Sequence, residues 1–138
     1  MRNLNWPSGE NINGEKVDAS RIPPVESAPY RDLCYLEGHD TKAFYSIKSE
    51  KANIGFRLNW NGDLFKTLWL WQERYATLDF PWWGQCYTIA LEPWTSRYTI
   101  NPEEAIAKGE WLHLEAGQVL TTDLTAEAFR AFPMDSGL

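Results

Sequence analysis

The sequence predicts an all-β protein, an antiparallel β-sandwich carrying one short helix. Three observations predict it. Short aromatic-rich runs recur from residue 32 onward, separated by turn-forming Gly, Asn and Pro. Within residues 53–60 the side chains alternate, with Ile54, Phe56, Leu58 and Trp60 on one face and Gly55, Arg57 and Asn59 on the other, the period of a half-buried strand. Only residues 101–108 carry helix signals.

The elements follow in order. Residues 1–31 are rich in turn formers, and Pro23, Pro24 and Pro29 exclude helix interior or central strand around them. This segment is expected to be a draped arm or a linker, with the sandwich occupying residues 32–138. Asp32–Glu37 and Ala43–Lys48 are expected strands separated by the polar turn 38–42. The strand over 53–60 ends at Asn61-Gly62-Asp63. Thr67–Glu73 sets Leu68, Leu70 and Gln72 against Trp69, Trp71 and Glu73. After the turn Pro81–Gly84, Gln85–Glu92 sets the bulky Tyr87, Ile89 and Leu91 against Cys86, Thr88, Ala90 and Glu92. Asn101 as N-cap, Pro102 at the first helical position, Glu103 and Glu104 in the first turn and Gly109 after the end specify the helix. Strands over 111–115 and 119–129 are expected around the turn 115–118. No internal repeat or low-complexity tract is present.

Composition excludes several functions. The chain has 138 residues, 43% hydrophobic and 23% charged, with a formal charge of −6 and 13 Lys+Arg. It is long enough for one domain with a core. It has no basic run, which argues against nucleic acid or an anionic membrane as partner. No apolar stretch approaches the roughly 20 residues of a membrane span. The start MRNLNWPSGE lacks the apolar region of a secretory signal, so a cytoplasmic protein is expected. Cys34 and Cys86 have no metal or redox spacing, and two free thiols in a reducing compartment is the preferred reading. With only His39 and His113 available, a metal site is set aside.

The chemistry rests on tryptophans and one glutamate. Eight tryptophans suit the C–H faces of sugars and other flat, partly apolar ligands, because aromatic faces carry a negative quadrupole. Large aromatics also favour strands and cores, so Trp60 and one of Trp69 and Trp71 are assigned to the core. Trp82, Trp83 and Trp94 fall at strand ends or turns, where ligand contact fits equally well. Glu92 closes an apolar strand, and Pro93 removes the next ladder donor. Its carboxylate is expected at the rim of a face floored by Cys86, Thr88 and Ala90, with Trp94 close by. There it suits a general base; an exposed strand-end glutamate, or one paired with Arg97 or Arg57, is the plain alternative. Asp32, at a strand start, suits a hydroxyl-rich ligand or simply a turn. His39, in the polar turn EGHDTK, is expected to be solvated, and His113 to share a strand face with Trp111 and Glu115. No nucleophilic triad, GxGxxG or P-loop is present.

The stretch LWLWQERYATLDFPWWGQCYTIALEPWTS (68–96) resembles the C-terminal part of the aldose 1-epimerase (galactose mutarotase) family. The tail LHLEAGQVLTTDLTAEAF (112–129) is similar to that family's closing hairpin, and DLCYLEG (32–38) to an earlier strand opening with aspartate. The resemblance implies the C-terminal half of a β-supersandwich that interconverts the α and β anomers of an aldose or sugar phosphate. In that chemistry a glutamate takes the anomeric hydroxyl proton and a histidine protonates the ring oxygen, with no cofactor or metal. Glu92 matches the family's base and Asp32 its sugar-binding aspartate. Family members are about twice as long, within single-domain size, and their histidines lie in the half this sequence does not match. His39 and His113 do not correspond to them. The expected function is therefore epimerase-like, with Glu92 catalytic and Asp32, Trp94, Trp82 and Trp83 binding sugar. The alternative is a non-catalytic carbohydrate-binding or structural half-domain. Exposed sheet edges predict a partner, either a second copy or a missing N-terminal half.

Overall fold

The computed structural model describes residues 6–97 and 101–130. The elements are β1 (Ser8–Asn11), β2 (Lys16–Asp18), β3 (Tyr30–Glu37), β4 (Lys42–Ser49), β5 (Ile54–Asn61), β6 (Thr67–Arg74), β7 (Tyr87–Trp94), α1 (Pro102–Ala107) and β8 (Thr125–Phe129). They form two antiparallel sheets, β2-β1-β3-β6-β7 and β4-β5-β8. The fold is all-β and sandwich-like, as the alternation predicts. Among the described residues no helix is long and apolar enough to cross a membrane.

The core lies where the two sheets meet. Leu36 and Leu68 of the larger sheet pack with Ala43 and Trp60 of the smaller, and Ala19, Tyr45, Phe65 and Leu91 close around them. Burying each large apolar side chain there stabilises the fold by roughly 1.5–3 kcal/mol. The Trp60 indole N–H donates to the Phe65 carbonyl at 3.1 Å, so its polar edge is satisfied. At the other end of β5 the sheets diverge. Ile54 and Phe56, on the same face as Trp60, stand exposed, and an apolar wedge of about 350 Å³ opens between β6 and β4.

Four expectations are corrected. Within residues 1–31, the sequence reading placed no strand, yet β1 and β2 form a hairpin whose first strand pairs with β3. The fit depends on Gly9: a Cβ there would lie 2.1 Å from the Cys34 sulfur, so only glycine lets β1 cross the buried thiol. His39 is 7% exposed rather than solvated. Its ring packs edge-on against Trp60 at 5.2 Å, and Nε2 lies 3.1 Å from the Leu36 carbonyl. A positive φ at Gly38 turns the chain so that the imidazole folds inward. Of the strands expected over 111–115 and 119–129, only β8 joins a ladder. Its Phe129 ring fills the place a Cβ on Gly55 would take. The turn is present, with Gln118 N–H donating to the Glu115 carbonyl at 2.9 Å, but its two limbs stay exposed and unpaired. His113, on one limb, lies exposed 3.2 Å from the Glu115 carboxylate.

The helix forms as its end signals dictate. Asn101 accepts a hydrogen bond from the Glu104 N–H at 3.3 Å, Pro102 opens the first turn and Gly109 follows with φ +67°. Both cysteines are free. Burial, and then the charge of Asp32, push the Cys34 thiol up to about 11.

Candidate functional site

Side-chain alternation assigns each residue of the five-stranded sheet to one of two faces. The register aligns Glu10, Tyr35, Trp69 and Glu92 in one row across β1, β3, β6 and β7. Glu37, Thr67 and Trp94 form the next row, and Leu33, Trp71 and Ala90 the row on the other side. This face points away from the smaller sheet. From Glu10 to Glu92 it spans three strand spacings, about 14 Å at roughly 4.8 Å each.

Aromatic rings cover its middle. Trp69 and Trp94 stack at 4.5 Å with planes 19° apart, and Tyr35 meets Trp69 edge-on at 6.0 Å. Trp82 reaches over from the loop 75–86 to pack on Trp71 at 5.6 Å. The Trp69 indole donates to the Ser96 carbonyl at 2.9 Å, which pins the chain leaving β7 over the face. Trp94 is 43% exposed, so it keeps ring surface for a ligand. Its indole N–H donates to Glu92 Oε2 at 2.9 Å. The small-residue recess expected around Glu92 is instead bounded by two indoles, Trp69 across the ladder and Trp94 two residues on.

Charged groups flank the rings. Arg97 grips Glu37 with two hydrogen bonds, Nε to Oε1 at 2.8 Å and Nη2 to Oε2 at 2.9 Å. It also donates through Nη1 to Glu10 at 2.6 Å, and its guanidinium lies 5.1 Å from the Tyr35 ring centre. Hydrogen bonding to Arg97, opposed by partial burial, holds the Glu37 carboxyl below its usual range. The same bonds raise Arg97 further above its ordinary value. All three side chains keep about a third or more of their surface in water, so the network is worth little as stability. Its effect is geometric: it anchors the segment after β7 and borders a polar depression of about 180 Å³ with Ser8, Lys16 and Tyr35.

The loop carrying Trp82 is held by a buried carboxylate. Glu73, 1% exposed, accepts from the N–H groups of Ala76 and Thr77 at 2.8 and 3.0 Å and from the Thr77 hydroxyl at 2.5 Å. Burial pushes its carboxyl up, but these hydrogen bonds outweigh that and hold it below the usual carboxylate range.

The expected site residues divide. Glu92 and Trp94 touch, and Trp82 stands on their face. Trp83 packs against Phe80 at 6.1 Å and is largely exposed, with no ring contact to Trp69, Trp71 or Trp94. Asp32 lies on the opposite face, in register with Gln72 and Ile89. There it accepts from the Tyr30 hydroxyl at 2.8 Å and the Leu33 N–H at 2.9 Å. Positions 32 and 35 differ by an odd number, so a strand cannot present both on one side. Arg97 pairs with Glu37 and Glu10 rather than with Glu92, and Arg57 stacks on Phe44 at 5.4 Å. The sequence reading missed Tyr35, Glu37, Trp69 and Arg97 as members of the face. Extending the alternation of DLCYLE to its partner strands was the signal that would have found the first three. Among the described residues neither histidine lies on this face, and no three His, Cys, Asp or Glu side chains gather as a metal site.

No protein-family model matches the chain, and neither curated proteins nor solved structures provide a match.

Proposed function

We infer that the tryptophan face binds an aldose or sugar phosphate and that Glu92 acts there as general base in aldose 1-epimerase-like anomer interconversion. The observation that carries this is the row Glu10–Tyr35–Trp69–Glu92, with Trp94 stacked on Trp69 and hydrogen-bonded to Glu92. A carboxylate at the edge of an aromatic platform suits a sugar whose C–H face lies on the ring and whose anomeric hydroxyl reaches the carboxylate. Glu92 takes that proton as the C1–O5 bond breaks and a solvent water protonates O5. The C1–C2 bond rotates, the O5 hydroxyl gives its proton back to water as it closes on C1, and Glu92 returns its proton to the new anomeric oxygen. The reaction transfers protons and breaks and re-forms one C–O bond, with no change of oxidation state. Arg97 is already matched by two carboxylates, which favours an uncharged sugar over a phosphorylated one. The free thiols fit a reducing cytoplasm. LWLWQ, PWWG and LEPWTS, the segments on which the family resemblance rests, include five residues of this face: Trp69, Trp71, Trp82, Glu92 and Trp94.

A second reading has its own support. His39 is packed against Trp60 and His113 lies on an exposed limb, so neither stands on the tryptophan face to protonate a ring oxygen, which favours a non-catalytic carbohydrate-binding half-domain. Titration of D-galactose and D-glucose against intrinsic tryptophan fluorescence tests the binding shared by both. Saturable quenching that is lost in Trp94→Ala and retained in Glu92→Gln is expected. No quenching by either sugar, or quenching indifferent to Trp94, contradicts the assignment of the face.

A further inference from the structure

Every residue from 106 to 121 is exposed. Within the arm 110–124 the apolar side chains of Trp111, Leu112, Leu114, Val119, Leu120 and Leu124 all face solvent, and none of the arm's backbone joins a ladder. An unpaired two-limbed segment of this kind is marginal alone in water, and so large an apolar surface marks a contact site. The same chain carries a matching receptor. The wedge between the diverging sheets, about 350 Å³, is lined by Leu68, Leu70, Gln72 and Leu91 on one wall and Tyr45 and Ile47 on the other. No residue of the arm lines it. Gln72 is 8% exposed, yet its side-chain Oε1 has no hydrogen-bond partner, and an unsatisfied buried acceptor costs free energy until a donor arrives. Arg21 stands at the wedge, whereas the arm carries Glu110, Glu115 and Asp123.

We propose that the 110–124 arm of one copy docks in the inter-sheet wedge of a second copy. Leucine side chains of the arm enter between Leu70 and Ile47, an arm N–H supplies the donor Gln72 lacks, and the acidic arm meets Arg21 at the mouth. The volume suits a few aliphatic side chains rather than a folded partner. The arrangement is independent of sugar binding, because the wedge and the tryptophan face lie on opposite sides of the same sheet.

The test uses the full chain in three forms. Sedimentation should give a dimer for the wild type and folded monomers for the arm variant Leu112→Asp/Leu114→Asp and for the wedge variant Ile47→Glu. Mixing the two variants should restore a one-sided dimer, since one keeps the wedge and the other the arm. A fluorescein-labelled peptide of residues 110–124 should bind the arm variant at least about tenfold more tightly than the same peptide carrying Leu112→Asp/Leu114→Asp, a comparison that needs no wedge substitution and stays readable if the wedge variant fails to fold. The proposal is overturned by a monomeric wild type whose arm variant ignores the peptide. It is overturned equally by a dimer that survives the arm substitutions, which would assign the contact to another surface.

Discussion

Replacing Glu73 tests how the loop that presents Trp82 is held. The carboxylate is almost fully buried and receives three hydrogen bonds from Ala76 and Thr77. Hydrogen bonds to a charged group contribute about 1.5–3 kcal/mol each, but dehydrating the carboxylate costs several kcal/mol, and an opened loop regains water for its N–H groups. The net loss expected for Glu73→Ala is therefore about 2–4 kcal/mol. Glu73→Gln keeps an oxygen for the two backbone donors and an amide that can donate to Thr77, so it should lose only about 1 kcal/mol. Because the folded carboxyl is held below its usual range, its contribution is complete above the unfolded value near 4.3 and disappears as pH falls through the folded value. Urea denaturation followed by circular dichroism at fixed protein concentration, at pH 7 and at steps below about pH 4.5, measures both effects. The gap between wild type and Glu73→Gln should shrink as acid is added. A loss under about 0.5 kcal/mol for Glu73→Ala, or a gap unchanged by pH, refutes the clamp.

Other outcomes follow from named contacts. Gly9→Ala places a Cβ on the Cys34 sulfur and should destabilise the protein by about 1–3 kcal/mol. It should also speed Cys34 labelling by a thiol reagent, and adding Cys34→Ala should recover most of the stability; unchanged Cys34 protection would show that β1 does not cross it. Gly55→Val meets the Phe129 ring and should release β8, seen as faster amide exchange over 125–129 with the first sheet unaffected. Glu10→Gln with Glu37→Gln should change stability by less than about 1 kcal/mol yet raise the affinity for glucose 6-phosphate relative to glucose by freeing Arg97. An unaltered preference would mean that the guanidinium does not face the ligand.

Much of the fold was legible because strand alternation is a local property. The strands from β3 to β7 lie within about two residues of the expected runs, and α1 follows its N-cap and closing glycine. The hairpin β1–β2 was hidden because its strands are short and polar, and what binds it is a missing side chain, Gly9 over Cys34, which no pattern within residues 8–18 reveals. The limbs flanking the turn 115–118 read as strands because alternation records which face is apolar, not whether a neighbour covers it. For the site, alternation correctly united Trp69, Trp71 and Glu73, but Pro93 does not stop the strand at Glu92: β7 runs on through Pro93 to Trp94, both in register with β6. Which strands lie side by side required pairing between distant segments. That is why Glu10, Tyr35 and Arg97 were not grouped with Glu92, and why Asp32, expected to bind the same sugar, lies on the other side of the sheet.

The central claim is that Glu92 on the tryptophan face moves the anomeric proton. Two-dimensional exchange NMR of galactose and glucose with the purified chain, its Glu92→Gln variant and a sugar-only control tests it directly. A general base contributes about 10²–10⁴-fold, so exchange between anomers should exceed the control with wild type and fall back to it with Glu92→Gln, while both proteins still bind sugar. Exchange that persists in the folded variant would contradict the role of Glu92. Binding without acceleration by the wild type would contradict catalysis by this chain and leave the carbohydrate-binding reading in its place.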